Sequence, residues 1–140
     1  MNLTAETAQS TVPVTILHLA GDLDAASYLD VIATAKQHTQ AGAKNILLDL
    51  SEMRFMSSSG LVALYSIVML LRGTPPPNPD EGWNALHAVS REVESASGFE
   101  HHLKILNPQP RVAKTLNITG FDKLIQVFTD RDTALAGFAE

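Results

Sequence analysis

Three consecutive hydroxyls, Ser57, Ser58 and Ser59, stand directly before Gly60-Leu61 and an apolar run over residues 61–71 that closes with Arg72-Gly73. The run is long enough for three helical turns, and its end carries a cation and a glycine suited to the C′ position. Ahead of the serines, residues 45–50 read as a buried strand and residues 51–56 as its connection to the helix. The pattern therefore delivers a hydroxyl cluster onto a helix N-terminus. Backbone N–H groups are unpaired there and the helix dipole adds about half a positive charge, so an oxyanion is stabilised. One serine, Ser57 or Ser58, is accounted for as an N-cap contributing ~1 kcal/mol. A single cap does not account for three hydroxyls.

Other chemistry finds less support. A serine hydrolase needs its nucleophile on a Gly-x-Ser-x-Gly elbow or an equivalent, with a histidine and an acid to serve it. Met56 occupies the place of the elbow glycine before Ser58, and His87, His101 and His102 fall in or beside a proline-rich stretch. Adjacent histidines such as His101 and His102, with Glu100, seldom converge on one ion, and no second cluster at ligand spacing supports them. His18, among apolar neighbours on a strand, reads as a solvated side chain without a role. No Gly-x-Gly-x-x-Gly follows a strand and no Gly-Lys-Ser/Thr occurs, so no cofactor, no metal and no catalytic activity are expected of this chain.

The residues around the serines resemble a known signature. Phe55-Met56-Ser57-Ser58-Ser59-Gly60-Leu61 is similar to the stretch in STAS domains, the family of the anti-sigma factor antagonists, in which an apolar pair precedes Asp-Ser-Ser-Gly-Leu or a close variant. Ser57 stands where the family most often has Asp, and Ser58 takes the position that a partner kinase phosphorylates. Gly21-Asp22-Leu23-Asp24 resembles the Gly-Glu-Leu-Asp loop after the family's second strand, at about the family's spacing from the serines. Residues 116–121, Leu-Asn-Ile-Thr-Gly-Phe, look like a further family stretch, with Ile125 where its final Phe would stand.

The elements that must position these residues follow from the pattern in order. A weak strand over residues 3–7 and a clear one over 14–19 read as an opening hairpin. Residues 25–40 read as a helix with Leu29, Ile32, Ala33 and Lys36 at helical spacing, capped by Asp24 and ended at Gly42. After the central strand and helix, residues 103–106 read as a strand, 108–116 as a turn and short helix, and 124–128 as a last strand. A final helix spans 131–138, capped by Asp130, with Leu135 and Phe138 inward. Strands alternating with helices build a largely parallel sheet through right-handed crossovers. The expected fold is therefore α/β and STAS-like: a mixed, largely parallel sheet opened by an N-terminal hairpin, with helices packed against it.

At 140 residues the chain is expected to form one domain, 1–140, interrupted by an insertion over residues 73–102. Pro75, Pro76, Pro77 and Pro79 open that insertion, and five acids against Arg91 give it most of the chain's net charge of −5. Trp83, Leu86, Val89 and Val93 allow a short amphipathic helix there. The 61–71 helix is apolar all round, so it needs a cover: this stripe with its acidic outer face beside the serines, a second copy of the chain in a homodimer, or a partner. A disordered loop is the competing account of the insertion.

No cysteine, no leader and no stretch of ~20 apolar residues occur, which points to a cytoplasmic protein without membrane insertion. Ten basic against fifteen acidic residues, with no basic cluster, disfavour direct nucleic-acid binding. The resemblance implies an anti-sigma factor antagonist. Its partners would be an anti-sigma factor with serine kinase activity, which phosphorylates Ser58, and a serine phosphatase. The binding surface would comprise Gly21, Asp22, Leu23, Asp24, Ser57, Ser59, Gly60 and Leu61. The alternative is an unphosphorylated STAS regulatory or assembly module, in a stress-signalling complex or associated with a transporter.

Overall fold

The computed structural model describes residues 1–74, 91 and 98–139. The chain opens with antiparallel strands β1 (Asn2–Gln9) and β2 (Pro13–Leu23), the expected hairpin, in which Thr4 faces His18 and Glu6 faces Ile16. Helix α1 (Tyr28–Gln40) leads to β3 (Ile46–Asp49), β4 (Met53–Met56) and α2 (Ser58–Arg72). The rest comprises β5 (Leu103–Leu106), α3 (Pro110–Thr119), a single turn α4 (Phe121–Leu124), β6 (Gln126–Phe128) and α5 (Arg131–Gly137). The sheet runs β1-β2-β3-β5-β6, parallel from β2 onward, while β4 pairs in parallel with the far end of β2.

Strand alternation splits the core in two. Leu17, Leu19, Ile46, Leu48, Leu103 and Ile105 point to the side where α1, α2 and α3 contribute Val31, Ala35, Leu64, Ile67, Val112 and Leu116. Val14, Ile16, Leu47 and Leu106 point to the opposite side, under Ala134, Leu135 and Phe138 of α5. Lys104 belongs to this second face, 4% exposed, with its Nζ 5.7 Å from the Phe128 ring and 5.3 Å from the Phe138 ring. Asp130 caps α5 as expected, its Oδ2 accepting from the Thr133 amide at 2.8 Å. Leu135 and Phe138 face inward.

Several expectations are corrected. Residues 53–56 are a strand, not a connection: Met53 and Met56 are buried, and the pairing with β2 supplies the backbone partners that a loop would lack. Helix α1 begins at Tyr28, and its buried positions are Val31 and Ala35, whereas Leu29 is 52% exposed. The helical spacing is right, but the tertiary partner selects a stripe displaced around the helix from the one expected. The turn α4 takes up Leu124, which the sequence pattern placed in the last strand.

Residues 60–68 of α2 are all buried, including Tyr65 and Ser66, and the helix packs on α1 and the sheet. Gly73, at φ 75°, closes it in the left-handed C-cap that the sequence predicted. The stripe of Trp83, Leu86, Val89 and Val93, the prolines 75–79 and His87 lie outside the described residues. Both flanks of that segment are described, and they are tied together by Arg72 and Glu100, whose Nη2 and Oε2 are 2.7 Å apart. They meet at the C-terminal end of α2. A rise of ~1.5 Å per residue puts that end roughly 20 Å from the serines, along the fifteen-residue helix.

Candidate functional site

The serine cluster sits where β4 hands over to α2. Ser57 is the N-cap residue in extended backbone (φ −89°, ψ 179°), and its amide donates to the Leu23 carbonyl at 2.9 Å, fastening the helix start to the end of β2. Its carbonyl accepts from the Gly60 and Leu61 amides at 3.0 and 3.3 Å. The hydroxyl itself makes no cap bond: Oγ is buried and has no hydrogen-bond partner among the described residues. The expected side-chain cap is thus absent, and the amides of Ser58 and Ser59 have no acceptor among the described residues. An unpaired pair of N–H groups at the positive end of a fifteen-residue helix is an environment for an anion.

The three serines differ in access. Ser58 is exposed, Ser59 half-buried, and Ser57 half-buried with its oxygen inward. Gly60 shows why they are held this way. A Cβ there would stand 2.7 Å from Met56 Cγ and 2.9 Å from Leu23 Cγ, so α2 reaches this close to β2 and β4 only because residue 60 lacks one. Leu23, Gly60 and Leu61 are buried and act by placing their exposed neighbours.

Gly21, Asp22 and Leu23 form the end of β2 and not a loop after it; Gly21 has φ 107° beside a register shift, and Asp22 and Leu23 pair with Phe55 and Met56. The side chain of Asp24 does not cap α1. Its Oδ1 instead accepts from the Ala26 amide at 3.0 Å, and its carbonyl accepts from the Ser27 and Tyr28 amides. Ser27, buried, ties this turn together: its Oγ donates to the Asp22 carbonyl at 2.8 Å and accepts from the Asp24 amide at 3.1 Å. The two stretches singled out in the sequence thus lie side by side, joined by the β2–β4 ladder and the Ser57–Leu23 hydrogen bond.

Sequence reasoning named Asp22 but missed Arg54 and Arg111, which flank this site beside it. Asp22 Oδ1 lies 3.5 Å from Arg54 Nε. Phe55 is 36% exposed, and the guanidinium carbon of Arg111 lies 5.1 Å from the centre of its ring. Asp22, Arg54, Phe55 and Arg111 line one shallow hollow. Phe55 was legible only as half of an apolar pair, and Arg111, more than fifty residues away in sequence, carries no signal linking it to the serines.

His18, expected to be solvated, is half-buried, with Nδ1 2.7 Å from Asp49 Oδ2 and Nε2 3.6 Å from Glu6 Oε1. Burial by itself raises the Asp49 carboxyl, but hydrogen bonds from the side chain and backbone of Ser51 and from His18 outweigh it and hold the group below its ordinary value. His102 turns to Asn45, Nδ1 to Oδ1 2.9 Å, and meets His101 edge to face. Among the described residues no helix is long and apolar enough to cross a membrane.

Residues 3–74, just over half of the chain, match the sequence model of the STAS domain. No curated protein matches the chain. An anti-sigma factor antagonist from Mycobacterium paratuberculosis has a similar crystal structure, with a TM-score of 0.62 at 16% identity over 99% of this chain and 96% of that one. The anti-sigma factor antagonist SpoIIAA in its unphosphorylated form gives 0.53 at 20% identity, over 94% and 93% of the two chains. The Bacillus cell fate determinant SpoIIAA in its phosphorylated form gives 0.54 at 17%, over 94% and 96%. At these identities the likeness is one of fold, and it extends over the mixed, largely parallel sheet and its helices.

Proposed function

The chain belongs to the STAS domain family, and from that premise we propose that it is an anti-sigma factor antagonist switched by phosphorylation of Ser58. In the unphosphorylated state it binds a kinase-type anti-sigma factor through the exposed parts of residues 21–24 and 57–61, freeing the sigma factor. Phosphorylation by that partner ends binding, and a serine phosphatase restores it. The observation that carries the reading is the contrast within the cluster: Ser58 alone of the three serines is exposed, and it is the first residue of α2. The names of the fold neighbours, two of them antagonists and one a phosphorylated form, support the same role.

The physical chemistry of the switch follows from that position. A phosphate on Ser58 adds up to about two negative charges at a helix N-terminus, which the dipole and open amides tolerate, so the fold should survive the modification. An interface should not. Burying the dianion there without a dedicated cation costs several kcal/mol, and the carboxylates of Asp22 and Asp24 on the neighbouring stretch add repulsion. Since every ~1.4 kcal/mol is a factor of ten, a loss of about two decades in affinity is expected.

The deciding experiment is intact-mass analysis of the protein from its own host, before and after phosphatase treatment, followed by mapping of the modified residue. Ser58→Ala should abolish the modification and bind the partner constitutively; Ser58→Asp should bind weakly while melting near wild type. Phosphate that persists on the Ser58→Ala protein at the wild-type rate would show the assignment to be wrong.

A further inference from the structure

Two features beside the serine site are unfavourable for folding alone. Phe55 exposes an aromatic ring on a strand whose other apolar residues, Met53 and Met56, are buried. Arg111 places a cation in the first turn of α3, where the helix dipole disfavours positive charge, and that turn holds no acidic residue. The Gln109 N-cap offers no side-chain bond, because Gln109 Nε2 reaches across to the Ser51 carbonyl at 2.8 Å. Arg111 makes no ion pair among the described residues, although the chain carries fifteen acids. Its guanidinium is instead laid against Phe55. That contact shields part of the ring, and the guanidinium's own planar fork of donors is matched to a carboxylate.

We propose that the hollow formed by Asp22, Arg54, Phe55 and Arg111 is a second half of the partner-binding surface and, through its two arginines and the Phe55 ring, takes a carboxylate-bearing, partly apolar segment of the kinase-type partner. Charge complementarity selects that occupant. Two cations, Arg54 and Arg111, line the hollow against one carboxylate, Asp22, in a chain that is otherwise acidic. A carboxylate seated there meets a local excess of positive charge, which steers docking to this face. Arg54 is only partly committed to Asp22: their nearest atoms are 3.5 Å apart, and the Arg54 side chain is 73% exposed. It is therefore free to turn to an incoming carboxylate. Continuity with the serines is given by the strand itself, since Phe55 lies three residues before Ser58. The inference rests on the antagonist reading, to which it adds a surface that the serines and the 21–24 stretch do not supply.

The test is calorimetric titration of a purified kinase-type anti-sigma factor from the same host with wild-type protein, Phe55→Ala, Arg111→Ala, Arg111→Lys and Lys114→Ala, at two salt concentrations. Lys114 is exposed on the same helix and outside the hollow, so its variant controls for net charge. Arg111→Ala and Phe55→Ala should each weaken binding about tenfold or more with the melting temperature little changed, as central aromatic and arginine contacts do. Arg111→Lys should recover only part, and Lys114→Ala should stay within about twofold. Wild-type binding that Arg111→Ala and Phe55→Ala leave no weaker than Lys114→Ala does overturns the docking surface while sparing the antagonist reading. Absence of wild-type binding overturns both. A change of self-association in Arg111→Ala, with partner affinity intact, assigns the hollow to a second copy and also overturns the proposal.

Discussion

Adding one methyl group at residue 60 tests whether the close approach of α2 is what fixes the serine site. In Gly60→Ala the new Cβ would meet Met56 Cγ at 2.7 Å and Leu23 Cγ at 2.9 Å, both well inside the ~3.5–4.0 Å optimum for carbon atoms. Those side chains are 3% and 0% exposed, so neither has solvent to move into. Overpacking of this kind costs ~1–3 kcal/mol, and the helix propensity gained by replacing glycine returns at most ~1. The expected net loss is about 1–2 kcal/mol. At ~2.1 cal/mol/K per residue this lowers the melting temperature by about 3–7 °C. Urea titration should show a lower midpoint with an unchanged slope, which separates a loss of stability from a change in the denatured state. Gly98→Ala is the control: among the described residues nothing lies within 4 Å of its Cβ position, and its φ is not in the left-handed range. It should be neutral within ~0.5 kcal/mol. A Gly60→Ala protein as stable as Gly98→Ala would refute the reasoning, because α2 would then have room to retreat.

The Asp49 carboxyl, held below 3.8 by Ser51 and His18 despite its burial, should contribute to the acid limb of stability. The unfolded chain binds the proton more readily than the folded one, so this contribution is present above about pH 4 and is lost as pH falls through the lower folded value. Asp49→Asn should therefore unfold with a shallower pH dependence below pH 4, measured by chemical denaturation from about pH 2 to 6; an unchanged slope would exclude the carboxyl as a source. Ser66, buried in α2, spends its hydroxyl on the Val62 carbonyl at 2.8 Å, four residues back in the same helix. Ser66→Ala removes a donor and strands no buried group that lacks another partner, so thermal unfolding should place it within about 0.5 kcal/mol of wild type. A loss above ~2 kcal/mol would mean the hydroxyl bends the helix to fit its neighbours.

Local pattern carried much of this protein's architecture because its elements announce themselves over short range. The hairpin, the strand over 46–49, the helix ended by Arg72-Gly73 and the Asp130 cap each depend on residues within a few positions of one another. The serine cluster at a helix start was legible for the same reason, and so was its resemblance to the STAS signature. What sequence left open are distances between residues remote along the chain. Residues 53–56 are too short a run to announce a strand by pattern and form one because the end of β2 lies alongside. Which of three serines is exposed depends on how far α2 sinks toward Leu23 and Met56, a packing distance set by the missing Cβ of Gly60. His18 looks like any strand histidine until the parallel β2–β3 register brings Asp49 opposite it. Arg111 joins the surface beside Ser58 because α3 packs against β4, a contact between elements that are separated in sequence by α2, the insertion and β5. Periodicity and capping are local and written in the residue types; register, burial depth and convergence are decided by the tertiary fold, where loop closure and core packing select one arrangement among many that the same local pattern allows.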